Sequence, residues 1–97
     1  MSGYDYVIVG AGSAGCVLAE RLTEDPAVSV ALVEAGGPDT AEELHLPIAW
    51  GDLFKGPYDW DRDSDPEPGA DDRRIYLPRG KVLGGSSSTN AMIYIRG

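Results

Sequence analysis

Ninety-seven residues suit one small domain, which would bury roughly two-thirds of the surface of its unfolded chain. An apolar fraction of 42% and a charged fraction of 25% are those of an ordinary globular protein. The formal net charge of −8 argues against nucleic acid or an anionic membrane surface as a partner, because both repel such a chain.

Any phosphate ligand must therefore be held by local donors working against the overall field. Cys16 is the only cysteine, so an intrachain disulfide is impossible and an oxidising compartment is not implied. It is read as a small buried packing residue. No run approaches the roughly 20 apolar residues of a membrane span, and the N-terminus lacks the basic and apolar regions of a signal peptide. The expectation is a soluble, cytoplasmic protein.

Tyr4 to Val9 is a β-branched run bounded by glycine, which predicts a buried parallel strand. From Ser13 to about Thr23, Val17, Leu18, Arg21 and Leu22 share one helical face, with the Arg21 stem laid along it. Pro26 stops the helix, and Ser29 to Glu34 ("SVALVE") predicts a second strand. Residues 4–35 thus read as a βαβ unit with a right-handed crossover. Thr40 and Glu43 have capping-box spacing, predicting one or two helical turns from Ala41. Residues 47–72 hold four of the seven prolines and read as an irregular acidic excursion. Ile75 to Leu77 predicts a short strand. A glycine-rich segment and a last apolar run, "MIYIRG", follow, and the stop at Gly97 reads as an interruption.

"GAGSAG", residues 10–15, has the G-x-G-x-x-G spacing of dinucleotide binders. It follows a strand and opens a helix, and that context gives each position a task. Gly10 permits the tight turn, Gly12 lets a pyrophosphate approach bare backbone, and Gly15 lets the helix pack close to the strand. The helix N-terminus adds free amides and a partial positive charge. Glu34, 19 residues beyond Gly15, is placed to accept hydrogen bonds from an adenosine ribose, which disfavours a 2′-phosphate. Candidate cofactor-binding positions here are Gly10, Gly12, Ser13, Ala14, Gly15, Glu34 and Ala35.

The second glycine segment, "PRGKVLGGSSSTNAMIYIRG", residues 78–97, bears on which dinucleotide is meant, which the first motif leaves open. Gly84 and Gly85 again clear side chains from a ligand's path, and Ser86, Ser87, Ser88 and Asn90 supply hydrogen-bonding groups. The alternative, a flexible linker, sits poorly with the "NAMIYI" that follows. This segment resembles the signature of the glucose–methanol–choline (GMC) family of FAD-dependent oxidoreductases. The resemblance continues through the Trp60 region, "RRIYLPRG", "LVEAG" and "VGAGSAGCVLAERL", and so covers nearly the whole chain.

That resemblance implies the N-terminal portion of a Rossmann-like α/β FAD-binding domain, with the substrate domain absent from these residues. It implies that Gly80 to Ile93 runs along the FAD, so Gly80, Val82, Gly85, Ser86, Asn90, Ala91 and Met92 join the candidate cofactor contacts. Some members of the family carry a histidine before the Asn for a covalent flavin bond. Thr89 stands there instead, implying non-covalent FAD. The implied activity is oxidation of a small-molecule alcohol to a carbonyl by hydride transfer to flavin. The family's acid–base histidines lie far towards the C-terminus of a much longer chain, so no catalytic residue is expected in this one. The expected partner is the remainder of the same enzyme, a separate chain being one arrangement. A hydroxynitrile lyase of the same fold, an NAD-dependent dehydrogenase and a non-enzymatic binding fragment stay open as alternatives.

Three other features tempt. "DRDSD", residues 61–65, imitates the start of a calcium loop, but Pro66 stands where such a loop needs glycine, so no metal is expected. The seven acids of residues 58–72 are read as a solvated loop. His45 is read as a surface residue, and Tyr4, Tyr6 and Tyr94 as packing. Arg73, Arg74, Arg79 and Lys81 either bias the field towards phosphates or balance the acidic loop.

Overall fold

A computed structural model describes residues 3–97. Strand β1 (Tyr6–Val9) leads through helix α1 (Ser13–Leu22) to strand β2 (Val30–Val33). The two strands pair in parallel, Tyr6 beside Val30 and Val9 beside Val33, as a β-branched βαβ unit requires. β1 starts two residues later than the sequence pattern predicts, β2 is one residue shorter at each end, and β1 is largely exposed rather than buried, because these residues place no layer over its outer face. Asp5 and Ser29, just before them, form a side-chain clamp instead: the Ser29 N–H and hydroxyl donate to the Asp5 carboxylate at 2.8 and 2.7 Å. Those bonds from Ser29 hold the Asp5 carboxyl below its ordinary range.

Several local expectations are corrected. Thr23 closes α1 by turning its hydroxyl back onto the Ala19 carbonyl at 2.8 Å, one turn ahead of Pro26. Arg21 leaves the apolar face and pairs with Glu24 at 2.5 Å and with Glu20 at 3.3 Å. Cys16 is exposed, its thiol donating to the Ala11 carbonyl at 3.3 Å. Thr40 caps nothing; residues Glu42–Leu44 form a single 3-10 turn entered from Ala41 without a side-chain cap. Tyr4, Tyr6 and Tyr94 are exposed rather than packed. The final apolar run, 91–97, has no regular secondary structure.

The largest departure concerns the acidic excursion. Pro47–Leu53 is a 3-10 helix, and residues 59–80 fold back on themselves as one antiparallel arm. Strands β3 (Arg62–Asp63) and β4 (Tyr76–Leu77) pair within it, flanked by bridges joining Asp59 to Gly80 and Glu67 to Arg73. Proline hides this pairing from sequence periodicity, because Pro66 and Pro68 crowd the tip, where the arm turns through a 3-10 turn and two left-handed residues, Asp71 and Asp72. Arg73 and Arg74 are spent on the arm itself, donating to the Ala70 and Ser64 carbonyls.

Asp59 holds the base of the arm. It is 8% exposed, not a solvated loop acid. Its carboxylate accepts from the Lys55 N–H at 2.8 Å, the Arg79 N–H at 3.0 Å and the Tyr76 hydroxyl. Burial acts to raise its pKa, but the bonds from Tyr76, Lys55 and Arg79 outweigh that and hold it at about 2. Trp50, Phe54 and Tyr76 stack edge-to-face beside it, with centroids 5.6 and 6.4 Å apart.

A folded-state pKa below the ordinary 3.8 means that Asp59 stabilises the fold above that pH. Its contribution disappears as pH falls towards 2. Replacing Asp59 by Ala strands the Arg79 N–H and leaves the Lys55 N–H only the Tyr76 hydroxyl at 3.2 Å, and is expected to cost about 2–3 kcal/mol in urea unfolding. Tyr76→Phe, which removes one donor and strands nothing else, should cost about half as much.

Candidate functional site

The turn between β1 and α1 begins at Gly10, whose N–H donates to the Val33 carbonyl at 2.7 Å and whose φ of +102° excludes a side chain. Gly15 is buried in the first turn of α1; a Cβ there would overlap the Gly10 carbonyl oxygen. These two glycines are required by the chain's own packing. Gly12 is not. Its φ is −82°, open to any residue, and a Cβ would meet nothing within 4 Å.

The second glycine segment packs directly on this turn. The Gly84 N–H donates to the Ala11 carbonyl at 2.7 Å, and the Leu83 N–H to the Gly37 carbonyl at 2.9 Å. Val82 bridges Gly37 in parallel, extending the edge beyond β2. Gly85, at φ +58°, comes so near that a Cβ would lie 2.9 Å from the Gly12 Cα. The Ser13 and Ser87 hydroxyls hydrogen-bond across the seam, at the start of a short helix α2 (Ser86–Thr89). Gly36 completes the fit, since a Cβ there would overlap the Lys81–Val82 backbone. The sequence pattern marks Gly36 only as a strand terminator; its contact with residues 46 positions away has no local signal.

Glu34 has a role that its spacing does not reveal. One carboxylate oxygen accepts the Ala11 N–H and the other the Gly36 N–H, both at 2.8 Å. It therefore ties the glycine turn to the end of β2. The Gly36 bond first, and the Ala11 bond second, hold its pKa below the ordinary 4.5. Each oxygen still has acceptor capacity on its groove side.

These contacts leave a groove of about 530 Å³. The βαβ unit contributes Val9, Gly10, Gly12, Glu34 and Ala35 to its lining, and the arm and second glycine segment contribute Trp60, Arg62, Arg79, Gly80, Gly85 and Ser86. Seven of the candidate positions thus meet in one place. Ser13 and Ala14 are exposed at the helix start, while Gly15 and Val82 lie buried beneath, Val82 fully so. Asn90 and Met92 line a different hollow of about 220 Å³, with His45, Trp50, Ser87 and Ser88; Ala91 lines neither. His45 is exposed, its ring bonded to the Asp39 carbonyl. Trp60 and Arg62 enter the site through the antiparallel register of the arm, which no short motif encodes.

The family model described as GMC oxidoreductase matches residues 4–97. The chain is similar to an oxygen-dependent choline dehydrogenase of Vibrio vulnificus, 54% identical over 95 residues, which cover 97% of this chain and 17% of that protein. Among solved structures it is similar to pyridoxine 4-oxidase from Mesorbium loti, with a TM-score of 0.89 and 45% identity over 98% of this chain and 19% of that one. An FAD-dependent oxidoreductase from Chaetomium thermophilum aligns with a TM-score of 0.81 and 40% identity, covering 98% of this chain and 16% of that one. The chain thus spans less than a fifth of the length of these relatives.

The depressed Glu34 pKa means that its tie is complete above the ordinary 4.5 and is lost as pH falls through the lower folded-state value. Hydrogen exchange at the Ala11 and Gly36 amides is expected to quicken over that acid range. In Glu34→Gln, where one bond is already replaced by opposed N–H groups, exchange should be fast at neutral pH and lose this dependence. Gly85→Ala meets both a left-handed backbone and the Gly12 Cα, and should cost about 1–3 kcal/mol in thermal unfolding.

Proposed function

The chain belongs to the GMC oxidoreductase family, and on that premise we propose that it forms the FAD-binding part of an enzyme that oxidises a small-molecule alcohol to a carbonyl. The supporting observation is Gly12. The fold makes no demand for glycine there, yet the position opens onto the groove between the two glycine segments. A bare backbone with no internal reason to be bare fits a ligand that must touch it.

The residues present fit an adenine dinucleotide. Gly12, the residue that opens α1, lines the groove, so the helix N-terminus lies beside it, where its partial positive charge favours a diphosphate. Glu34 keeps acceptor capacity towards a ribose while its other lone pairs hold Ala11 and Gly36 in place. Ser86 faces the same groove, its hydroxyl held by the Gly80 N–H at 3.1 Å. Bound FAD would supply the hydride acceptor for oxidation of the CH–OH group. We read the association as non-covalent, a reading supported by Thr89 standing at the position where some family members carry a flavin-bonding histidine.

The acid–base groups belong to the remainder of the same enzyme, since relatives are over five times longer than the matched segment. No helix among the described residues is long and apolar enough to cross a membrane. With one free, exposed thiol, a reducing, cytoplasmic setting is the fitting one. An NAD-dependent reading fits the first glycine turn but not the family match, among whose solved relatives is an FAD-dependent oxidoreductase.

Gly12→Ala separates ligand from fold. Its unfolding free energy should stay within about 0.5 kcal/mol of the parent protein. Flavin absorbance per polypeptide in the purified holoenzyme should fall sharply. Unchanged flavin retention in a folded Gly12→Ala enzyme would overturn the assignment.

A further inference from the structure

We propose that Arg62 and Arg79 form a cationic clasp across the groove from the α1 N-terminus, so that the antiparallel arm is itself part of the nucleotide-diphosphate site. The inference rests on the FAD-binding reading above and adds the residues that would overcome the chain's unfavourable charge.

Acids outnumber bases 16 to 8 in this sequence, so a guanidinium has many carboxylates to choose from. Among the described residues, ion pairs are made by Arg21 and Lys55 alone, and Arg62 and Arg79 make none. Both line the groove. Arg62 lies over the Trp60 ring at 4.7 Å, and Lys81 approaches the same ring at 4.8 Å, so the indole carries positive charge to the groove's edge. Arg79 gives one guanidinium bond to the Pro78 carbonyl at 2.7 Å, leaving its remaining donors without partners among the described residues. The only carboxylate in the lining, Glu34, pairs with neither arginine and is already held by two backbone amides.

Asp59 explains how these cations stay in position. It fixes the Arg79 backbone at 3.0 Å and sits at the base of the arm that carries Arg62. The arm's acidic side chains lie elsewhere: Asp61 pairs with Lys55 at 3.6 Å, and no other arm acid lines the groove. Helix amides on one side and two guanidiniums on the other make a site with local positive potential inside a chain of net charge −8. The planar fork of each guanidinium suits the paired oxygens of a diphosphate.

The test is FAD affinity in the holoenzyme, read from fluorescence of released flavin over a range of salt concentrations. Arg62→Gln and Arg79→Gln should each weaken binding about tenfold, and the double variant should also show a flatter salt dependence. Arg21→Gln, which changes net charge equally but lies on the outer face of α1, should stay within about twofold of the parent. The Arg62→Lys, Arg79→Lys double variant keeps both charges and should recover part of the affinity with steep salt dependence restored. A double glutamine variant no weaker than Arg21→Gln, or a lysine variant as weak as the glutamine one, would overturn the clasp while leaving FAD binding intact. An unaltered holoenzyme that retains no flavin would overturn both readings together.

Discussion

The contact between two stretches of backbone without side chains carries the rest of this structure. Gly85 meets the Gly12 Cα, the Gly84 N–H reaches the Ala11 carbonyl, and Gly36 receives the Lys81–Val82 backbone. Backbone groups at such separations have no room for water, so each must find a protein partner. Glu34 supplies two of those bonds at once, one to each side of the strand end. The glycine turn, the end of β2 and the second glycine segment therefore move as a unit. The groove exists because that unit has a fixed shape.

The arm of residues 59–80 is the second organising element, and it shows how an acidic, proline-rich stretch becomes ordered. Its strands are too short to stabilise themselves. A single carboxylate, Asp59, compensates by gathering bonds from Lys55, just before the arm, and from Tyr76 and Arg79 on its returning stretch. The edge-to-face aromatics beside it supply the apolar burial that the strands lack. Order at the arm's base then positions Trp60, Arg62 and Arg79 along the groove.

Membership of the GMC oxidoreductase family gives this geometry a context without replacing it. The family match treats both glycine segments alike, whereas the packing divides their glycines by cause. Gly15, Gly36 and Gly85 are small because other backbone lies against them. Gly12 alone among these has open space before it, and space is what a ligand needs. The candidate positions divide in a similar way. Seven share the groove, Val82 and Gly15 support it from beneath, and Asn90 and Met92 face a separate hollow.

Local chemistry was legible in the amino-acid sequence. Runs of β-branched residues, glycine spacing and a proline stop are short-range constraints, and they specify the βαβ unit to within a residue or two. The spacing of Glu34 from Gly15 likewise placed a carboxylate at the strand end. What tertiary structure decided was every pairing between distant segments. Asp59 reads as one acid among seven until Tyr76 and Arg79 fold over it. Gly36 reads as punctuation until residues 81 and 82 press on it. Arg62 reads as a lone base in an acidic run until the arm's register brings it to the groove. Burial and hydrogen bonding between residues far apart in the chain depend on chain reversal, and no window of neighbouring residues contains that information.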